Sequence, residues 1–459
     1  MSLAKKSFAL LRQDAFLFVA NLATGVIVAR QLGPTSYGLW AILQLIPTYA
    51  EAFVRLKVDA AGVYLIGSGR YGVGPVRTML NRIALGSGLG VVALVAAALG
   101  PLSDWLFGAA AGDVRPAILV VALQVPFQFL LLNYTKLLLL REDVRAYNQA
   151  VLLRTLSFAV LSVTLLFGAR LGLLGVVFAG TASTALACLF AMRALGAGPA
   201  GGERSAPGLG RALVEQALPL YGAGIVGHLH TYSSSTVVAL YLSPANVGFL
   251  AMAQNLGRLL ERITEALNLL LFPRIAGMEE GASLAELVVR AYRVMLVATL
   301  VAGTGMAVAV RPLVELVYGR DFLPAVVPLW IILPGVVAFS ASTVFTQYLV
   351  GIGKAGLALR ISIVPLVVQV ALALLLVPRF GLAGAACALS VASVLVAVLQ
   401  LAVFVHVARP HVRASDLLVR AEDVRTVLHF AFGQLAGIRG RVRSRRGAAA
   451  PPLGPDLDR

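Results

Sequence analysis

The chain has 459 residues, of which 59% are hydrophobic and 13% are charged, with a mean hydropathy of +0.88. Soluble domains contain about 25% charged residues, so this composition excludes a soluble globular protein and indicates an integral membrane protein. The formal net charge is +17, but no basic stretch is interleaved with aromatic residues for stacking. We therefore expect the basic residues in cytoplasmic loops and no nucleic-acid partner.

Twelve apolar segments are each long enough to cross a bilayer as a helix. They lie at about residues 15–32, 38–66, 80–100, 115–136, 148–168, 171–194, 213–242, 246–274, 290–311, 324–350, 357–377 and 381–407. A Gly/Pro-rich polar stretch, GAGPAGGERSAPGLG, separates the sixth segment from the seventh. We predict an all-α membrane protein with a six-helix lobe at 1–195, a cytoplasmic linker at 196–211, a second six-helix lobe at 212–408 and a basic tail at 409–459.

Positive charge sets the predicted orientation. Lys and Arg are concentrated in alternate connections, and those connections face the cytoplasm by the positive-inside rule, which places both termini in the cytoplasm. The tail carries apolar residues at helical spacing and then the basic stretch RGRVRSRR. This pattern predicts either an interfacial helix on anionic lipid or a partly disordered charged tail. The apolar face of that helix would comprise Leu417, Ala421, Val424, Leu428, Ala431, Leu435 and Ile438.

Three short patterns recur at a nearly constant distance. LGPTSYG at 32–38 matches LSPANVG at 242–248, with an offset of 210 residues. PLSDWLFG from Pro101 matches PLVELVYG from Pro312, and RLGLLG from Arg170 matches RFGLAG from Arg379. Because six is an even number, both copies of a six-helix unit enter the membrane in the same direction. We therefore predict two lobes related by a pseudo-twofold axis along the membrane normal, with a cleft between them.

Two predicted spans carry charges that cannot face lipid. One charge near the bilayer centre costs about 2.5–3.5 kcal/mol, and each of these spans has four. The second span contains Glu51, Arg55, Lys57 and Asp59, and the eighth contains Arg258, Glu261, Arg262 and Glu265. Glu51, Arg55 and Asp59 have helical i, i+4 spacing, so we expect them on one face lining the cleft.

The opening VARQLGPTSYGLWAIL, together with a second span interrupted by polar residues, resembles the polysaccharide-export flippases. These form the O-antigen and exopolysaccharide branch of the multidrug/oligosaccharidyl-lipid/polysaccharide exporter (MOP) superfamily. The resemblance implies that the protein flips an undecaprenyl-diphosphate-linked oligosaccharide from the inner to the outer leaflet of the bacterial inner membrane. It also implies contact with membrane lipids, a polysaccharide polymerase and glycosyltransferases. The alternatives are a multidrug or lipid II transporter of the same superfamily.

The charged spans supply the candidate site. Arg55, Arg258 and Arg262 are the only arginines that we predict inside spans and on inward faces, and a guanidinium suits phosphate oxygens because its planar fork donates two hydrogen bonds. Asn255 and Asn21 add polar groups for substrate binding. The alternative is that each stripe only pairs its own charges, since each sums to zero. A further alternative is that four carboxylates bind a coupling proton or sodium ion: Glu51, Asp59, Glu261 and Glu265.

Enzyme signals are missing from the sequence. It contains no phosphate-binding loop, no zinc-ligand spacing and no nucleophile elbow, and the two cysteines lie singly in apolar runs. We therefore predict no metal and no cofactor. A membrane polysaccharide polymerase or ligase, the alternative from another class, would need catalytic residues on a large outer loop. The longest predicted outer turn, at about 100–115, is too short for one.

Overall fold

The computed structural model describes residues 3–107, 111–196, 207–409, 412–425 and 427, and in these residues the regular structure is helical throughout. Thirteen α-helices are numbered in chain order. They are α1 (Leu3–Leu43), α2 (Leu45–Phe53), α3 (Val58–Gly67), α4 (Val73–Ala97), α5 (Leu99–Phe107), α6 (Ala111–Leu140), α7 (Val144–Val163), α8 (Gly172–Ala194), α9 (Leu209–Tyr241), α10 (Pro244–Gly277), α11 (Ala282–Val317), α12 (Val326–Gly351) and α13 (Ala355–Val407). Short π or 3₁₀ turns cover Thr164–Gly168, Arg320–Ala325 and Ala414–Leu417.

The two longest helices are each two helices joined at a glycine. α1 is interrupted at Gly33, where φ is 70°, and α13 at Gly381, where φ is 59°. Only glycine adopts positive φ without a steric penalty, and Pro34, which follows Gly33, has no N–H to continue a helix. Both interruptions fall in the recurring patterns that separate predicted spans, so these turns of the chain lie where the sequence places them.

Eight helical stretches of the described residues are long and apolar enough to cross a membrane. They are Phe16–Phe53, Val73–Ala97, Val114–Leu140, Val144–Gly168, Gly172–Ala194, Ala282–Val317, Arg320–Gly351 and Gly356–Val407. The first and last contain the glycine interruptions and each overlaps two predicted spans. α9 and α10 are not among the eight, and α10 carries four charges in its middle. The all-α membrane class is confirmed, whereas the count of twelve spans in two lobes stays a prediction.

The described residues group into two compact units that do not follow the chain in two halves. The first unit contains Met1–Gly257, Val308–Ile332 and Ser362–Ala392, and the second contains Arg258–Ala307, Leu333–Ile361 and Ser393–Arg459. In the first unit, α3 packs against α4 and α9 through a buried apolar cluster that includes Leu65, Leu80 and Leu213. The lobe boundaries at 1–195 and 212–408, and the axis relating the lobes, stay predictions.

The two recurring corners of the sequence pack against each other within the first unit. A Cβ atom added to Gly38 would lie 1.7 Å from the carbonyl oxygen of Pro244, and one added to Gly248 would lie 2.6 Å from that of Pro34. Pro244 and Gly248 are the repeat equivalents of Pro34 and Gly38 at the offset of 210 residues. Each corner therefore makes the same contact to the other, as expected for two copies related by a twofold axis.

The described part of the tail is docked on the second unit. Val412 and Leu417 are buried in its apolar cluster beside Phe404. Arg293 Nη1 donates to the carbonyl oxygen of Asp416 at 2.7 Å, and its Nε lies 2.9 Å from Asp423 Oδ2. Of the predicted interfacial face, Leu417 is buried at the end of a 3₁₀ turn, while Ala421 and Val424 are exposed on a short helix. Leu428, Ala431, Leu435 and Ile438 lie outside the described residues.

Candidate functional site

The predicted second span is a broken helix. α2 ends at Phe53 and α3 begins at Val58, and in the four residues between them Leu56 and Lys57 adopt positive φ of 56° and 54°. This corrects the prediction of one continuous span over 38–66. Left-handed backbone costs an L-residue about 1–2 kcal/mol, so contacts from elsewhere in the fold must hold the break open. Arg55 lies within the break itself.

Arg55 is bound by the two acids that flank the break. Its Nη1 donates to Glu51 Oε1 at 3.4 Å, and its Nη2 lies 2.6 Å from Asp59 Oδ2. Lys57 Nζ lies 3.8 Å from the same oxygen of Glu51. The side chain of Arg55 is only 4% exposed, so in this conformation its charge is compensated by carboxylates. The ion pairs that the spacing suggested are therefore present here, although the helical spacing that predicted them is interrupted.

Glu51 is also tied to α6 through a chain of amide groups. Gln128 Nε2 donates to Glu51 Oε2 at 3.0 Å, and Gln124 Nε2 donates to Gln128 Oε1 at 3.3 Å. Each carboxylate oxygen of Glu51 thus faces a different donor set. This network fixes the orientation of Glu51, which in turn fixes Arg55.

Two residues of α9 also contact the break. Tyr221 donates its hydroxyl to the carbonyl oxygen of Phe53 at 2.8 Å, which satisfies a group left free where α2 ends. A Cβ atom at Gly224 would lie 2.7 Å from Lys57 Cε, so the absent side chain leaves room for the lysine stem. These contacts come from residues far along the chain and explain why the break forms without a glycine or proline at positions 54–57.

The second predicted stripe lies on α10, in the other compact unit. Arg262 Nη1 donates to Glu265 Oε2 at 2.9 Å, and these side chains are 68% and 58% exposed. Glu261 interacts with the charges of both Arg258 and Arg262. α10 is continuous through these residues, so the helical spacing predicted for them is present.

The two predicted amide residues lie in the first unit. Asn255 is exposed and donates to the hydroxyl of Tyr37 at 3.4 Å, and Asn21 is exposed on α1. Arg55 with its two acids forms one cluster, whereas Arg258, Arg262 and their acids form another in the second unit. The substrate-binding and ion-coupling roles of all nine residues stay predictions.

One arginine of the first unit was missed by the sequence reasoning. Arg154 lies on α7, inside the predicted span 148–168, and it interacts electrostatically with Glu51. The signal was available, because an arginine well inside an apolar span is as costly as those at the charged stripes. It was missed because Arg154 has no charged neighbour at helical spacing within its own span.

In the described part of the chain, no group of three or more His, Cys, Asp or Glu residues is arranged to hold a metal ion. The donors and charges gathered at the break are guanidinium, ammonium, amide and carboxylate groups. Such a set can bind an anion through its cations and a monovalent cation or proton through its carboxylates.

Comparison with known proteins assigns the fold. The structure is similar to the lipid II flippase MurJ in an inward closed conformation, with a TM-score of 0.74, 13% identity, and coverage of 92% of this chain and 90% of that chain. It is similar to an inward-facing multidrug resistance MATE family transporter of the MOP superfamily (TM-score 0.63, 14% identity, 86% and 94% coverage). A MOP superfamily transporter from Pyrococcus furiosus matches with a TM-score of 0.61, 13% identity, and 86% and 93% coverage.

These structural relatives are transporters and flippases, not enzymes, as the sequence predicted, and identities this low show a shared fold. No curated protein matches the sequence significantly. A family model described as "Polysaccharide biosynthesis protein" matches residues 27–327, which is more than half of the chain. The chain therefore belongs to this polysaccharide biosynthesis protein family and has the fold of the MOP superfamily.

Proposed function

We propose that this protein flips an undecaprenyl-diphosphate-linked oligosaccharide from the inner to the outer leaflet of the bacterial inner membrane by alternating access, for polysaccharide export. The observation that carries the proposal is the buried Arg55, paired with Glu51 and Asp59 at a helix break, in a member of the polysaccharide biosynthesis family. Broken membrane helices are a common way of building polar binding sites at membrane depth.

The substrate sets the physical requirement. A diphosphate carries negative charge that must cross about 30 Å of hydrocarbon, and moving an uncompensated ion into such a medium costs far more than binding can return. The protein must supply positive charge along the path. Arg55 can do so by exchanging a carboxylate for a phosphate, because its Nε is buried and makes no hydrogen bond in this conformation. Nε and Nη2 together form the edge that binds two oxygens at once.

The charged residues of α10 are Arg258, Glu261, Arg262 and Glu265, and its arginines would also bind the phosphate groups, at a more exposed position. Arg262 is largely exposed while paired with Glu265, so an incoming anion reaches it without breaking a buried contact. Arg258, Asn255 and Asn21 would add charge and hydrogen bonds to the substrate. The carboxylates released by exchange, Glu51 and Asp59 at the break and Glu261 and Glu265 on α10, would then be free to bind a coupling proton or sodium ion. Glycosyltransferases would supply the substrate and a polymerase would consume it.

The test is to remove Arg55 with and without its acid partner. We expect Arg55→Ala to stop surface polysaccharide export while the protein accumulates normally, and Arg55→Lys to restore part of it, because lysine keeps the charge but loses the fork. Arg258→Ala should behave like Arg55→Ala. Arg211→Ala is the matched control, since it removes an equal charge from an exposed pair with Glu215.

The pairing alternative predicts a different pattern. If Arg55 only neutralises acids, Arg55→Ala leaves a buried carboxylate unpaired, the protein is unstable, and Glu51→Ala/Arg55→Ala recovers both abundance and export. Full export by that double variant at normal abundance would exclude Arg55 as a substrate ligand. Loss of drug resistance with unchanged polysaccharide would instead indicate the multidrug function.

A further inference from the structure

α7 turns one face towards the interior of the first unit. Ala146 and Ala150 are buried in an apolar cluster with α6 and α8. Phe158 stacks on Trp40 of α1, with ring centroids 6.4 Å apart. Arg154 lies four residues after Ala150 and four before Phe158, so the helical repeat places it on this same face. The exposed apolar residues of this part of α7, Leu153, Leu156 and Val160, lie on the other side of the helix. Arg154 therefore lies on the inward face and not among the lipid-facing residues.

Arg154 nevertheless remains accessible. The residue is exposed, although Ala150, one helical turn before it on the same face, is buried. Among the described residues it forms no ion pair within 4.0 Å, although it attracts Glu51 from a greater distance. Glu51 itself is occupied by Arg55, Lys57 and Gln128.

Adding Arg154 changes the charge of the site. The break alone is neutral, with Arg55 and Lys57 balanced by Glu51 and Asp59, and Arg154 leaves one positive charge without a compensating acid. A surplus charge inside an apolar span is costly and is retained where it serves a function. Trp40, which stacks on Phe158 of this face, also has a buried indole N–H with no hydrogen-bond partner, and a buried unpaired donor is a sign of a missing acceptor.

We propose that Arg154 is a further substrate-positioning residue, whose guanidinium binds a phosphate group of a lipid-linked diphosphate. This inference rests on the function proposed above and adds to it a residue outside both charged stripes. Arg55 must release a carboxylate before it binds an anion, whereas Arg154 has no carboxylate of the described chain within 4.0 Å to release. Arg154 therefore makes the first contact with the phosphate, and the exchange at Arg55 follows.

The experiment measures binding to the purified full-length protein in lipid nanodiscs. The probes are undecaprenyl diphosphate, uncharged undecaprenol and inorganic pyrophosphate, which separate recognition of the lipid diphosphate from recognition of the lipid or of free phosphate. We expect wild-type protein to prefer undecaprenyl diphosphate. Arg154→Gln should weaken that binding by about tenfold or more, the loss expected for one charge-assisted contact, and leave undecaprenol binding unchanged. Arg145→Gln, nine residues earlier on the same helix and exposed, is the matched control and should bind as wild type.

Each failure has a separate meaning. Wild-type protein that binds undecaprenol and undecaprenyl diphosphate equally well would overturn the proposed function and this inference with it. A wild-type preference that Arg154→Gln retains in full would overturn the role of Arg154 alone. If Arg154→Gln lowers the melting temperature, its weaker binding could reflect a loss of stability, and the diphosphate affinity of Arg154→Lys is measured instead. Lysine keeps the charge near Glu51 but loses the two-donor fork of the guanidinium. Undiminished diphosphate affinity in Arg154→Lys would then overturn the inference.

Discussion

Replacing Gly38 by alanine tests the contact between the two recurring corners. The added Cβ atom would lie 1.7 Å from the carbonyl oxygen of Pro244 and 2.5 Å from its carbonyl carbon, and real Cβ contacts are essentially never shorter than 3.0 Å. The corners must therefore move apart by about 1.3 Å. Both obstructing atoms belong to the backbone, so no side-chain rotation relieves the overlap.

The expected loss follows from two opposing effects. Overpacking of this kind costs about 1–3 kcal/mol, and a backbone obstacle puts Gly38→Ala at the upper end of that range. Alanine returns at most about 1 kcal/mol through its higher helix propensity. We expect Gly38→Ala to lower the free energy of unfolding by about 2 kcal/mol, on the balance of these terms. Gly25→Ala, in the part of α1 before the Gly33 interruption, is the control, because nothing lies within 4 Å of its added Cβ.

The assay is thermal or denaturant unfolding of the purified protein in detergent, with both variants measured beside wild type. Gly25→Ala should be as stable as wild type or slightly more stable. Gly248→Ala should lie between wild type and Gly38→Ala, because its Cβ meets the carbonyl oxygen of Pro34 at 2.6 Å and needs a smaller shift. If Gly38→Ala is as stable as Gly25→Ala, the reciprocal corner contact does not exist in the folded protein.

Tyr221→Phe removes the hydroxyl that caps the end of α2 and should lower the free energy of unfolding by about 0.5–1.5 kcal/mol; an unchanged melting temperature would contradict this. Arg293→Met removes the ion-pair partner of the buried Asp423 and should make the tail more sensitive to limited proteolysis, because unpairing a buried charge costs about 3–5 kcal/mol. Equal cleavage of wild type and variant would show that the pair does not hold the tail. In a cysteine-free background, a cysteine at Gly72 should react with a thiol reagent only from the cytoplasm and one at Ala245 only from outside. The reverse pattern would overturn the predicted topology.

The membrane class and the two glycine turns were determined by the sequence, because they depend on the hydropathy and backbone properties of residues that are adjacent in the chain. Hydropathy identified a helical membrane protein, and the glycines at 33 and 381 marked the turns inside the two longest helices. A positive φ and a missing N–H are properties of glycine and proline themselves, so they can be read without a structure. The opening motif also indicated the family that the comparison shows.

The interruption of the second span was decided by tertiary structure. Positions 54–57 contain neither glycine nor proline, so propensity and spacing alone predict a continuous helix there. The break is held because Tyr221 of α9 donates to the freed carbonyl oxygen and Gly224 leaves room for the lysine stem. Both residues lie more than 160 residues away in the chain. A contact of that kind leaves no local signal.

The composition of the charged site was decided in the same way. α7 packs with Phe158 against α1, and Arg154 on the same helix interacts electrostatically with Glu51. The sequence contains the charge but not the direction in which the helix faces, since that direction depends on which other helices cover its apolar side. The sequence by itself therefore determined which segments are helical and where glycine turns separate them, and the packing of distant helices decided where the second span breaks and which charges lie together there.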